Sequence, residues 1–247
     1  MGSIVMFENL LQSLGLSVFS LKGFGPLLLE GTWMTVKLSV LSLAVSVLLG
    51  LLGASAKLSR VKLLRLTAQL YTTLIRGVPD LVLMLLIFYS LQTWLTQLTD
   101  AMDWEYIEIN PFSAGVITLG FIYGAYFTET FRGAILAVPR GQIEAATAYG
   151  LKRWQRFRYV IFPHMMRFAL PGIGNNWMVM LKATALVSII GLADLVKAAQ
   201  DAGKSTYELF FFLVVAALIY LAITSASNIV LRRLERRYAT GAREATR

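Results

Sequence analysis

Residues 201–206, Asp-Ala-Gly-Lys-Ser-Thr, have the residue types that close a phosphate-binding loop. Such a loop cradles phosphates with backbone N–H groups and a lysine, and it needs a glycine five positions before Gly203 and a strand ahead of it. Ala198 stands at the glycine position, so nucleotide chemistry is not expected here. The chain has no cysteine and one histidine, His164. That removes thiol nucleophiles, disulfides, zinc–thiolate sites and histidine clusters. No serine–histidine–acid set and no dinucleotide-binding glycine pattern is visible. The reading is therefore no catalytic residue, no metal and no cofactor bound by this chain.

The remaining ionisable groups gain meaning from what surrounds them. The chain is 57% hydrophobic and 15% charged, with a mean hydropathy of +0.64, far outside the balance of a soluble domain. Its net charge of +9 would suggest nucleic acid in a soluble protein. In so apolar a chain the positions of the basic residues matter instead, and no nucleic-acid partner is expected.

Residues 1–26 are weakly amphipathic, with apolar positions at roughly helical spacing and no basic leader or small-residue cleavage site. They are expected to lie at the membrane surface. Residues 38–56 give 19 uncharged positions, close to the roughly 20 that a bilayer helix needs. A basic cluster follows: Lys57, Arg60, Lys62 and Arg65. Residues 66–98 read as one long helix that enters the membrane near Arg76. The next connection carries Asp100, Asp103, Glu105 and Glu108 and no basic residue. A third span starts at Phe112 and continues to Val138, and a fourth covers residues 165–193, bent by Pro171, Gly172 and Gly174. After a polar connection, residues 209–231 form the clearest span, followed at once by Arg232, Arg233, Arg236 and Arg237.

Basic clusters follow spans one, three and five, and the acidic connection follows span two. The positive-inside rule then sets the amino terminus outside and the carboxyl terminus inside. The expected fold is an all-α membrane protein of five transmembrane helices. Residues 27–238 form the membrane domain, and 239–247 a basic cytoplasmic tail.

Charges inside a span cost about 2.5–3.5 kcal/mol each on insertion scales, so they should meet a partner or water. Glu129 lies about 25 Å along span three, and Arg132 shares its face. Either the two pair internally, or Glu129 attracts a cationic cargo. Lys182 sits mid-span, with Thr184 and Ser188 on nearby faces. It is placed to hold a carboxylate or to neutralise Glu129. Tyr123, Tyr126, Asn175 and Asn176 are further candidates to line a path, or they pack and bond helices. Asp194 would place a charge where such a path opens outward.

Residues 139–163 interrupt this pattern. Pro139 and Gly141 punctuate the start, Glu144-Ala145-Ala146 opens a helix, and Gly150 suits a helix end. A second, basic and aromatic helix carries Lys152, Arg153, Arg156 and Arg158, and Pro163 is expected to stop it. The charge alternation makes the stretch cytoplasmic, facing either an ordinary aqueous loop environment or another protein.

The spacing of Glu144-Ala145-Ala146, Gly150 and Val160-Ile161-Phe162-Pro163 resembles the EAA loop of ATP-binding-cassette (ABC) importer permeases. That pattern usually ends Ile-x-Leu-Pro; Val160 and Phe162 keep its apolar character. Arg76-Gly77-Val78-Pro79, Glu129 with Arg132-Gly133, and Leu181-Lys182-Ala183-Thr184 resemble the polar amino acid permeases of that group. Residues 71–89, 118–134, 169–177 and 181–188 are similar to Q-type subunits of importers for basic amino acids (histidine, lysine, arginine, ornithine). The resemblance covers roughly residues 30–238.

The resemblance implies a type I importer fold in a bacterial inner membrane. It implies an M-type permease partner in a heterodimer, two copies of a cytoplasmic ATPase that bind ATP and magnesium, and a periplasmic amino-acid-binding protein. It makes 139–163 the coupling loop. There Glu144 contacts the ATPase, Ala145 and Ala146 allow close packing, Gly150 sets the turn and Pro163 closes the set; Arg153, Arg156 and Arg158 either pair with the ATPase or face lipid headgroups. A permease for an opine or another polar amino acid shares these features; a channel-like or scaffolding protein would not need the EAA spacing.

Overall fold

The computed structural model describes residues 21–239, and these are helical apart from short connections. In chain order the helices are α1 (Gly25–Lys57), α2 (Lys62–Gly77), α3 (Asp80–Ala101), α4 (Pro111–Leu136), α5 (Arg140–Ala148), α6 (Arg153–Ile190), α7 (Leu195–Thr206) and α8 (Leu209–Ala239). The surface segment expected at 1–26 falls largely outside the described residues, as does the tail at 239–247.

Four helices, α1, α3, α6 and α8, are long and apolar enough to cross a membrane. The third expected span is α4. Its 26 residues extend about 39 Å, but Gly, Ser, Thr and Tyr dilute its hydropathy. It is also the most enclosed long helix, with Ile122, Tyr123, Ala125 and Phe127 at the centre of the main core. A helix surrounded by other helices needs less apolar surface than one facing lipid.

The burial pattern of α1 shows the same physics inverted. Its inward stripe is small and partly polar: Gly31, Thr35, Ser39, Ser42, Ser46, Gly50 and Ala54. Its outward face carries Leu29, Val40, Leu48 and Leu52. In lipid, apolar side chains gain nothing by hiding, so small residues that let backbones approach take the interface. The hydroxyls of Thr35, Ser39 and Ser46 donate to carbonyls four residues back, which satisfies them inside the helix. At Gly50 an added Cβ would sit 2.5 Å from Phe127 Cβ, so glycine is required there.

Contact pairs fix the helix directions. Along α1 and α4, Leu38 meets Gly115, Val45 meets Gly120, Leu49 meets Gly124 and Gly53 meets Thr128, so these two helices run parallel. They make the largest interhelical contact among the described residues. Against α4, α6 runs the other way: Val187 meets Gly115, while Gly172 meets Thr130. Helix α3 is also antiparallel to α4, with Asp80 at Tyr123 and Gln92 at Ile109. Finally α8 is antiparallel to α6, with Leu231 at Gly174 and Tyr220 at Thr184.

Two helix boundaries differ from expectation. Residues 66–98 do not form one helix. The chain breaks at Val78 and Pro79, both extended, because a residue before proline is driven out of the helical region. Conversely, Pro163 stops nothing. Residues Phe157–Ile161 form a π turn, which opens the hydrogen-bond ladder where proline has no N–H to give. The helix from Arg153 therefore runs through Pro163, and through Pro171, to Ile190.

The polar connection after α6 contains a helix that hydropathy did not reveal. Gly191 turns the chain at φ +99°, Asp194 caps α7 by accepting from Lys197 N–H, and Leu195, Ala198, Ala199 and Ala202 pack against α1 and α8. Residues 201–206, whose types match the close of a phosphate loop, are the end of this helix.

Candidate functional site

Helix α5 stands between the end of α4 and the start of α6. Pro139 precedes its first turn with an extended backbone, and Tyr149 and Gly150 close it. Gly150 has φ +75°, the left-handed conformation that glycine adopts without strain. Only Ala146 is buried, and it packs inward; Glu144, Ala145 and Ala148 are exposed, and Tyr149 is 87% exposed. The outer face thus offers one carboxylate, two methyl groups and a tyrosine, a narrow profile that a groove can enclose.

The basic helix start is held to it. Arg156 donates to Thr147 Oγ1 at 2.6 Å, and Lys152 N–H is capped by Gln155. Arg153 and Arg158 are exposed, and no carboxylate pairs with either among the described residues. Pro163 sits inside α6 rather than at its boundary.

Glu129 lies at the same end of the bundle as α5. One of its oxygens accepts from Arg132 at 2.9–3.0 Å, and the other from Lys57. The partner is therefore not Lys182, and the internal pair with Arg132 is half of the answer. Lys57 ends α1, and its side chain is only 4% exposed. Sequence reasoning placed it in a loop cluster; only the parallel packing of α1 on α4 brings it to Glu129.

A second polar cluster sits where α2 gives way to α3. Tyr123, almost fully buried, donates to Asp80 Oδ2 at 2.8 Å. Tyr126 stacks on Tyr123 with ring centroids 5.5 Å apart, and Arg76 lies 5.4 Å over the Tyr126 ring. Two of the path candidates thus become one cluster with Arg76 and Asp80. The signal for Asp80 was its place directly after the Arg76–Pro79 interruption.

Lys182 is elsewhere. It is exposed and lines a cavity of about 490 Å³ together with Tyr220, Thr224, Ala185 and Leu221. Thr184 is buried, donates to Leu181 O and faces Tyr220 Oη at 3.5 Å, and Ser188 donates to Ala185 O. Asn176 donates to Thr130 Oγ1, tying α6 to α4, while Asn175 is exposed in a separate cavity beside Asn228, Arg232 and Glu235. Asp194 is fully buried, so it presents no charge to a path. One oxygen caps α7 and the other has no hydrogen-bond partner; burial lifts its pKa to about 6 against the lowering pull of the backbone N–H groups it faces. Among the described residues no cluster of three or more metal-ligating side chains occurs.

The bundle thus combines parallel and antiparallel helices with an exposed helical protrusion, α5, at one end. Residues 46–240 match the family of binding-protein-dependent transport system inner membrane components, and the chain belongs to that family. It is 60% identical over 225 residues to the histidine/lysine/arginine/ornithine transport system permease protein HisQ of Salmonella typhimurium, covering 91% of this chain and 99% of that protein. It is 42% identical to the nopaline transport system permease protein NocQ of Agrobacterium fabrum, over 83% of this chain and 88% of that protein. A crystal structure of an amino acid ABC transporter with histidines superposes with a TM-score of 0.73 at 38% identity, covering 86% of this chain and 94% of the other.

Proposed function

We propose that this chain is the permease subunit of an ATP-driven importer for basic amino acids such as histidine, lysine, arginine and ornithine. It works in the inner membrane of a bacterium. The observation that carries the reading is α5, an exposed helix held between two long helices at the basic end of the bundle. A permease subunit driven by a partner ATPase needs such a surface, through which the ATPase can move it. Glu144, Ala145, Ala148 and Tyr149 form the docking face, with Gly150 closing its turn and Arg153 at its edge; Ala146, expected on that face, packs inward instead. The cargo class follows the names of the relatives that are 60% identical over nearly their full length.

Alternating helix directions and the segregation of charge support five crossings, α1, α3, α4, α6 and α8, with the basic end in the cytoplasm. The complex then holds this chain, an M-type permease, two ATPase copies that bind ATP and magnesium, and a periplasmic binding protein. Rocking of the bundle opens a central path to each side in turn. Lys182, in its apolar cavity with Tyr220 and Thr224, is the group placed to meet a carboxylate.

The test is uptake in proteoliposomes that contain the four components. Arginine, lysine and histidine should accumulate when ATP is inside the ATPase compartment. Accumulation of an opine in preference to all three would favour the second reading, for which the nopaline permease relative is the precedent. In Gly150→Asp, membrane insertion should persist while binding-protein-stimulated ATP hydrolysis is lost. Normal stimulation in that variant would remove α5 as the docking helix.

A further inference from the structure

The Lys57–Glu129–Arg132 cluster belongs to neither the docking face nor the cavity at Lys182. Both oxygens of Glu129 are engaged, one by each cation. With two positive groups and one negative, the cluster has an excess positive charge, so it repels a cationic side chain. Glu129 is thus poorly suited to hold basic cargo, although its place inside a span suggested that use.

Its position suggests another. Helices α1 and α4 run parallel and touch along their lengths, and the ion pair lies at the end of that contact. Glu129 is two turns before α4 ends at Leu136, and α5 begins at Arg140. Lys57 is the last residue of α1. Above the pair the packing consists of small residues against side chains, such as Gly53 against Thr128, which fits closely but has few directional bonds. A nearly buried lysine with a carboxylate partner does have them, and leaving either charge alone in that setting is strongly unfavourable.

We propose that Lys57, Glu129 and Arg132 form a latch that makes the cytoplasmic ends of α1 and α4 move as one body. Displacement of α5 by the ATPase passes through the last turns of α4 into α1 by way of this pair. Lys57 and Glu129 are positioning residues: they touch neither cargo nor ATPase. The proposal rests on α5 being the docking helix.

The experiment uses the complete complex in proteoliposomes, with Lys57→Met, Glu129→Gln and the double variant. Stimulated ATP hydrolysis should continue, while amino acid moved per ATP falls by about tenfold. The ratio of arginine to histidine uptake should stay as in the unaltered protein. A changed ratio in Glu129→Gln would mean that Glu129 touches cargo, and unaltered transport per ATP in all three variants would end the proposal. The double variant removes both charges, so it should fold even where Glu129→Gln alone does not, and it should remain uncoupled; recovered coupling in it also overturns the latch.

Thermal unfolding in detergent supplies an arm independent of transport. The Tm loss in the double variant should fall short of the summed single losses by about 4 °C. Additive losses refute the ion pair. If the unaltered complex shows no uptake of any basic amino acid, the assigned function fails, and this cycle still decides the pair.

Discussion

Asp194 shows what burial does to a single residue. Its side chain caps α7 through one oxygen and leaves the other without a partner, fully buried where its backbone packs on Gly31 of α1. Burial raises its pKa from 3.8 to about 6. A raised folded-state value means that the folded protein holds a proton the unfolded chain has released. Its contribution to stability is fully present below about pH 4 and is lost as pH rises through about 6. Asp194→Asn keeps the capping oxygen and carries no charge. Its Tm should therefore be higher than that of the parent above pH 7, and the dependence between pH 4 and 6 should flatten; an unchanged pH profile of unfolding would show that the carboxylate is solvated. The sequence located this residue but misjudged its setting, because nothing local in residues 191–208 announces that α1 covers them.

At the scale of elements, the contact of α1 with α4 carries the most weight. Gly50 lies where the Phe127 backbone and Cβ, with the Phe131 ring beside them, leave no room for a side chain. Gly50→Val should lower the yield of folded protein in detergent, and by more than a valine placed at Gly141, where nothing lies within 4 Å. Size-exclusion chromatography of the two variants checks this, and equal yields would mean that α1 does not pack as described. The break between α2 and α3, by contrast, is local chemistry. Val78 precedes a proline, and that signal was in the sequence, outweighed by the apolar run on either side. The π turn at Phe157–Ile161 is a different case: a proline expected to end a helix is absorbed because the adjoining helix has length and packing enough to continue.

For the whole molecule, the helix directions place Lys57, Arg60, Arg140, Arg156 and Arg232 at one end and Asp100, Asp103, Glu105 and Glu108 at the other. A reporter fused near Glu105 should read as extracytoplasmic, and one near Gly141 as cytoplasmic. Both reading alike would require a different number of crossings. The same arrangement puts α5 and the Lys57–Glu129–Arg132 cluster together at the end where an ATPase would act.

Several features were legible without coordinates because they are linear. Apolar runs mark the helices long enough to cross a membrane, basic and acidic residues fall in separate clusters along the chain, and the interruption between two long helices is a spacing from Glu144 to Pro163. Each depends on residues near one another in sequence. What only the tertiary structure decided is which distant residues meet. Lys57 and Glu129 are 72 positions apart, Asp80 and Tyr123 are 43, and Leu195 and Thr35 are 160. Helix periodicity says which face a residue occupies. It cannot say which helix lies against that face, because in lipid both faces of a helix are apolar and small residues, rather than oily ones, select the neighbour.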